Sequence, residues 1–198
     1  MAIQINGNGT ITGISVGGLP DGIVDTDMIA ANAVATAKIA DNAVTSAKST
    51  ISGGITHAQT WRRGSFTGTA DPITGYTKYT STNHGSVGAD MTESSGTFTF
   101  PVTGIWYITV RGYLYKDSNV PSCTIRIKTT TNNSSYSVSN NSYYTHCDGD
   151  GGTQYNSSDN TMIFDVTDTS QCKVRFEATG SSSNWDSSHI EFIRLGDT

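Results

Sequence analysis

The chain has 198 residues, of which 15% are charged and 67 are Ser, Thr or Asn, and its formal net charge is -5. No apolar run approaches the roughly 18 to 20 residues that span a bilayer, and the first residues lack the basic and apolar regions of a signal peptide. The 12 Lys and Arg residues are scattered rather than clustered, which argues against a nucleic-acid partner.

The first 20 residues predict a small β anchor. Four isoleucines alternate with polar residues on both sides of an Asn-Gly-Asn-Gly run at positions 6–9. Asn-Gly pairs between alternating apolar residues are typical of a β-hairpin. We therefore expect a hairpin here that could dock the chain onto a larger assembly.

Residues 21–55 contain a repeat with a period of ten. Asn32–Asp41 and Asn42–Ile51 share five identical positions, and residues 22–31 form a weaker copy. Ten is neither the heptad nor the eleven-residue period of a coiled coil. No aromatic residue precedes Trp61, so this segment cannot build a core alone. It is interpreted as a shaft covered by equivalent chains or by another surface; a flexible Ala/Thr-rich linker is the alternative.

The opening residues Met1–Ile14 and the Asn-Ala-Val-x-x-Ala-Lys-Ile-Ala-Asp unit resemble the N-terminal segments of tail-fibre and other virion proteins of marine tailed phages. This resemblance implies a virion component, assembled in the host cytoplasm, whose N-terminal segment contacts other virion proteins.

Residues 56–198 predict an all-β head. Short alternating or apolar runs recur between Gly, Ser and Asn clusters, a pattern typical of an antiparallel sandwich or jelly roll. The predicted strands are Trp61–Phe66, Thr77–Tyr79, Gly96–Phe100, Gly104–Tyr115, Ser122–Thr130, Thr161–Asp165, Lys173–Ala178 and His189–Arg194.

The most distinctive run of the head is Gly96–Val110. Phe98 and Phe100 share one face of a strand, Pro101 and Gly104 break it, and a second strand carries Tyr107. This Gly-x-Phe-x-x-Pro-x-x-Gly-x-Tyr order resembles the complement C1q head and the tumour-necrosis-factor-like jelly rolls.

The resemblance covers roughly residues 61–196 and implies a homotrimer. It departs from the family pattern at the turn Asp168–Ser170 and at the ending Ile190–Phe192, which affects turn geometry and trimer packing more than the fold. It also implies four residues of the core or the threefold seam, and packing within the monomer core alone remains the alternative for each: Phe98, Phe100, Tyr107 and Phe192.

No catalytic constellation is recognisable. A Gly-x-Ser-x-Gly pattern at positions 13–17 lacks the strand-to-helix context of a nucleophile elbow. The four histidines form no paired metal motif, and the three cysteines form no C-x-x-C pair. We expect no enzyme, no cofactor and three reduced thiols, with one disulfide as the alternative for the cysteines.

Asp148 and Asp150 form a partial calcium signal. Two carboxylates two residues apart on a glycine turn suit Ca²⁺, but the spacing does not complete an EF-hand loop and the bidentate Glu is absent. A cation site completed by another loop and a plain solvated turn both remain open.

The stretch 129–160 is interpreted as an insertion rich in Asn, Ser and Tyr. Tyr offers a flat apolar face and a hydroxyl, which suits recognition of a glycan or a protein surface. The predicted receptor contacts are the four tyrosines and the histidine of this stretch, together with the tryptophan of the loop 180–188: Tyr136, Tyr143, Tyr144, His146, Tyr155 and Trp185. Burial under a long loop is the alternative for each.

The leading functional hypothesis is a non-enzymatic, trimeric phage fibre whose head binds the host surface. The alternatives are a structural head, collar or capsid-decorating fibre without a receptor, a surface-polysaccharide hydrolase, and a secreted lectin-like adhesin. The lack of a signal peptide disfavours the last of these.

Overall fold

The computed structural model describes residues 4–5, 11–12, 34, 39, 54–81, 83–116, 120–141, 145–147, 154–180 and 184–198. The chain divides into two units, Met1–Ser52 and Gly53–Thr198. In the first, β1 (Gln4–Ile5) pairs antiparallel with β2 (Ile11–Thr12), which confirms the predicted hairpin. The decapeptide repeats lie outside the described residues except for Val34 and Ile39.

The described residues of the second unit form two antiparallel six-stranded sheets. The strands of sheet I are β3 Ala58–Arg63, β4 Phe66–Thr67, β5 Thr77–Lys78, β8 Gly104–Lys116, β12 Gln154–Val166 and β14 Asn184–Gly196. The strands of sheet II are β6 Thr92–Ser94, β7 Thr97–Thr99, β9 Val120–Thr130, β10 Ser137–Asn141, β11 Thr145–Cys147 and β13 Lys173–Thr179. Sheet I runs in the order β12-β8-β14-β3-β5, with β4 also paired to β14, and sheet II runs in the order β10-β9-β13-β7-β6, with β11 also paired to β9.

The all-β class is confirmed: the described residues contain strands and no helix, and so no helix among them could cross a membrane. Three predicted boundaries are wrong. The predicted strand Trp61–Phe66 is divided by residues 64–65, and β14 begins five residues before His189. The predicted insertion 129–160 contains β10, β11 and half of β12, because these polar strands pair with β9 and β8.

The core between the sheets is centred on Phe98. Its ring centroid lies 5.3 Å from those of Trp61 and Phe192 and 5.7 Å from those of Tyr76 and Phe176. Such edge-to-face and tilted ring pairs add to the free energy gained by burying apolar area. The cluster therefore joins β7 and β13 of sheet II to β3 and β14 of sheet I.

The predicted core residues divide into two groups. Phe98, Phe100 and Phe192 are at most 1% exposed within the single chain, so their side chains cannot form a seam with another subunit. Tyr107 is half-buried and lies on the other face of its strand, since its neighbours Trp106 and Ile108 point into the core. Of these four predicted residues, Tyr107 alone therefore remains a candidate for an intersubunit contact.

The break between β7 and β8 is confirmed at residues 100–103. Gly104 has a φ of +138°, and a Cβ there would lie 2.4 Å from the carbonyl oxygen of Gly196. Only glycine fits this close approach without strain. The turn carries the chain from sheet II to sheet I.

Two buried polar side chains of sheet I, Gln59 and Ser188, form hydrogen bonds to the neighbouring loops. The Gln59 side chain accepts hydrogen bonds from the Trp61 indole and the Met91 backbone. Tyr76 and Ser188 share a buried hydrogen bond of 2.7 Å, and burial raises the pKa of the Tyr76 phenol. Such satisfied groups fix the arrangement of the sandwich.

Cys172 is a buried free thiol, which agrees with the expectation of reduced cysteines at this position. Cys123 is also buried. The side chain of Cys147 lies outside the described part of the chain.

Candidate functional site

The outer face of sheet I carries an apolar row at one end. Ile163, Tyr107 and Ile193 lie directly opposite one another on β12, β8 and β14. The Ile163 side chain is 64% exposed, and Tyr107 and Ile193 are half-buried. We call these three residues the apolar row. The next row toward this end of the sheet adds the half-buried Ile105.

A polar row separates the apolar row from the middle of the sheet. It is formed by residues in register on four strands: Thr161, Thr109, Glu191 and Thr60. The Thr161 hydroxyl donates to the Thr109 hydroxyl at 3.3 Å, and the Thr109 hydroxyl donates to the Asn160 carbonyl at 3.2 Å. The sheet face therefore becomes hydrophilic within one row.

The following row is basic. Arg62 on β3, His189 on β14 and Arg111 on β8 lie side by side in register, and we call them the basic row. Adjacent strands are about 4.8 Å apart, so the row extends for about 10 Å between the outer two Cα atoms. Four residues of strand, or about 13 Å, separate the basic row from the apolar row.

Neighbouring groups hold the basic side chains in place. The Arg111 guanidinium donates to the Asp159 carboxylate at 2.8 Å, and the Arg62 guanidinium lies over the Tyr79 ring at 4.7 Å. The His189 ring meets the Tyr113 ring edge to face at 6.2 Å. Two depressions flank His189 and provide open space beside the row.

The first depression has a volume of about 250 Å³ and is lined by Thr60, His84, Thr109, Arg111, Tyr113, His189 and Glu191. The second has a volume of about 410 Å³ and is lined by Arg62, Arg63, Gly64, Gly75, Thr77, Ser187 and His189.

The charge on His189 depends on its surroundings. Desolvation lowers the pKa of His189 below its ordinary value of 6.5, and the positive charges of Arg62 and Arg111 lower it further, against an opposing effect of Glu191. The imidazole is therefore mostly neutral at pH 7. The hydrogen bond to Asp159 raises the pKa of Arg111, which keeps the guanidinium charged.

Tyrosines occupy the far end of the same face. Tyr113 is 41% exposed and Tyr155 is 78% exposed, and the Tyr155 and Tyr115 ring centroids are 6.0 Å apart. Tyr155 was predicted as a receptor contact, and its exposed ring is available for one.

The outer face of sheet II has a different chemistry. Lys128 pairs with Asp71 at 2.6 Å and Arg126 pairs with Glu177 at 3.4 Å. Arg175 lies 3.9 Å from the centroid of the Tyr136 ring, so that predicted receptor residue is half-covered by a guanidinium. This is a charged face typical of contact with solvent.

The prediction that Trp185 contacts a receptor is wrong, because its side chain is buried. The side chain is 0% exposed and stacks against Phe66 at 5.8 Å between ring centroids, because β14 already begins at Asn184 and turns this residue inward. The alternative of burial holds for Trp185. Tyr143, Tyr144, Asp148, Asp150 and the side chain of His146 lie outside the described residues, so their predicted roles remain predictions.

Gly112 makes room for Trp185. A Cβ at position 112 would lie 2.5 Å from Cζ3 of the Trp185 ring. We expect Gly112→Val to destabilise the head by about 1–3 kcal/mol, since forced overpacking displaces a large buried ring. Urea unfolding followed by Trp fluorescence measures this. Gly85→Val is the matched control because a Cβ there meets nothing within 4 Å, and equal stability of the two variants would contradict the assignment.

Solved structures align with most of this chain at low sequence identity. Eiger TNF from S. frugiperda aligns with a TM-score of 0.50 and 12% identity, over 71% of this chain and 93% of that chain. Together with the strand order of the two sheets, this likeness confirms the predicted fold. The head is a jelly roll.

Two further alignments have lower TM-scores. The globular domain of zebrafish complement 1qA aligns at 0.44 with 16% identity, over 72% of this chain and 99% of that chain. PRD1 vertex protein P5 aligns at 0.40 with 15% identity, over 73% of this chain and 100% of that chain. No protein-family model and no curated protein matches the chain.

The basic row was not predicted. Its members are separated by 49 and 78 positions along the chain, and the sequence search for histidine pairs could not detect them. Only the pairing register of three strands brings them together.

Proposed function

We propose that this chain is a non-enzymatic structural protein of a virus particle, a fibre whose jelly-roll head forms a homotrimer and binds the host-cell surface. The observation that carries the proposal is the apolar row on sheet I, with Ile163 64% exposed. Exposed contiguous apolar residues on one face, beside a second face of ion pairs, are typical of a subunit interface. The apolar row would form the seam between subunits.

The N-terminal part supports a fibre. The decapeptide repeats without aromatic residues would form a shaft, and the hairpin at residues 4–12 would contact other virion proteins. This step rests on the resemblance of these segments to phage virion proteins and on the repeat itself.

The proposal that the chain is not an enzyme is supported by the sequence, in which no catalytic motif is recognisable. Among the described residues, no group of three His, Cys, Asp or Glu side chains is placed to hold a metal ion. Cleavage of a surface polysaccharide by the purified full-length chain would overturn this part of the proposal.

Native mass tests the assembly. Light scattering of the full-length chain at several concentrations is expected to give three times the chain mass of 21.0 kDa at every concentration. A monomer throughout would contradict the homotrimer. Antibodies against the chain should label purified particles, and a failure to label them would contradict the virion role.

Tyr155 provides the test of host binding. We expect Tyr155→Ala to weaken binding of the labelled trimer to host cells by about fivefold or more, because exposed aromatic rings often dominate contact energies. Cell-binding isotherms measure the loss. Tyr136, also a predicted receptor contact, is half-covered by Arg175 on sheet II, so Tyr136→Ala should weaken binding less than Tyr155→Ala. Equal binding of wild type and Tyr155→Ala would remove this residue from the proposed contact.

A further inference from the structure

The basic row concentrates positive charge that the described residues only partly neutralise. Asp159 pairs with Arg111, but no described carboxylate forms an ion pair with Arg62 or His189. Glu191 lies in the next row and lines only the first depression. The guanidinium groups of Arg62 and Arg111 stand on either side of the mostly neutral His189, so an anion bound between them would be attracted by both positive charges.

We infer that the basic row of sheet I binds an acidic saccharide through a sulfate or carboxylate group. This inference rests on the proposed host-binding function and specifies its ligand. A guanidinium presents a planar fork that matches the oxygens of a carboxylate or a sulfate. Arg62 is oriented by Tyr79 and Arg111 by Asp159, so both forks are held in place before a ligand arrives.

The surroundings of the row favour a saccharide over other anions. The two depressions, of about 250 and 410 Å³, both border His189; Arg111 lines the first and Arg62 lines the second, and both offer space for sugar units. Tyr113 and Tyr155 present exposed rings on the same face, and aromatic faces pack against the apolar face of a sugar. The row has only two guanidinium groups, one of which already pairs with Asp159, so it can bind one or two anionic groups but lacks the clustered basic residues that neutralise the continuous phosphates of a nucleic acid.

The row lies about 13 Å along the strands from the apolar row. If the seam between subunits is centred on Ile163 and Tyr107, the basic row lies outside the seam, on the side of the sheet face that carries the tyrosines. Binding must accordingly be seen with the trimer and not only with a dissociated chain.

The experiment uses the full-length trimer and three immobilised polymers, namely dextran sulfate, polygalacturonate and unmodified dextran. We expect binding to at least one of the acidic polymers, and none to dextran; the comparison of the first two distinguishes a sulfate from a carboxylate ligand. Arg62→Ala should weaken this binding about tenfold, the usual effect of removing a charge-assisted hydrogen bond. The Arg62 side chain is exposed and lies over Tyr79, so the variant should fold.

Arg175→Ala on sheet II is the matched control for charge, and its affinity should equal that of wild type.

Lowering the pH from 7.5 to 5.5 should strengthen binding, because protonated His189 adds a positive charge to the row, and His189→Gln should reduce this gain. The protonation of other histidines is common to both proteins and cancels in the comparison.

Three results would overturn the inference: no binding to either acidic polymer, an equal loss in Arg62→Ala and Arg175→Ala, or equally tight binding of single-stranded DNA. Binding only by a dissociated chain would also overturn it, because the row would then be covered in the assembly. A normal native mass and a Tyr155-dependent interaction with host cells would leave the proposed function standing in each case.

Discussion

Ile163→Asp is expected to convert the trimer into folded monomers. Ile163 is 64% exposed on an edge strand of sheet I, so a carboxylate there remains hydrated in the single chain. In a trimer the same side chain would be buried against a neighbouring subunit. Burying an isoleucine contributes about 1.5–3 kcal/mol, and a buried unpaired carboxylate costs more, so association should weaken by about 100-fold or more.

Light scattering and circular dichroism together measure this result. The native mass should fall to 21.0 kDa at micromolar concentration, and the far-ultraviolet spectrum should remain that of the wild type. Val138→Asp is the control. Val138 is 40% exposed on β10 of sheet II, so this substitution also replaces an exposed aliphatic side chain by a carboxylate, but on the charged face. A trimeric Ile163→Asp variant, or an equal effect of Val138→Asp, would contradict the placement of the seam.

Local patterns predicted the parts of the fold that depend on neighbouring residues. Phe98 and Phe100 alternate with threonines, and both side chains point into the core. Pro101 lacks a backbone N–H donor and Gly104 adopts a positive φ, so the chain cannot continue as one strand and is divided into β7 and β8. The alternation and the break are properties of a short segment, which explains why the sequence alone was sufficient.

Trp185 was misassigned because its neighbours have the composition of a loop. Four serines and an asparagine surround it between positions 181 and 187, yet β14 pairs there with β8 and β4. The partner strands supply a space above Gly112 into which the indole fits. A glycine 73 positions away decided the burial of this residue, and no local pattern contains that information.

The candidate site depends on register even more strongly. The apolar row and the basic row each combine residues from three strands, and a shift of one residue in any strand would turn its member toward the core. The sequence predicted which segments are strands but not how they pair. Tyr155 could be proposed from its own chemistry, whereas Arg62, His189 and Arg111 have significance only together.

Phe98→Ala is expected to cause the largest loss of stability in the head. The ring is fully buried and contacts four other rings that come from both sheets. Removing it costs the transfer free energy of the ring and leaves a cavity that rigid aromatic neighbours cannot fill, for a total of about 3–5 kcal/mol. Typical domains have only about 5–15 kcal/mol of stability, so the variant should be close to unfolding.

Urea unfolding at one fixed chain concentration measures this loss and prevents dissociation from changing between samples. Phe66→Ala is the matched control, because Phe66 is half-buried and touches Trp185 and Arg63 at the margin of the core. Its smaller cavity opens toward solvent and should cost less than half as much. Equal losses in the two variants would mean that the aromatic cluster relaxes around position 98, and that the two sheets are held together mainly by contacts outside it.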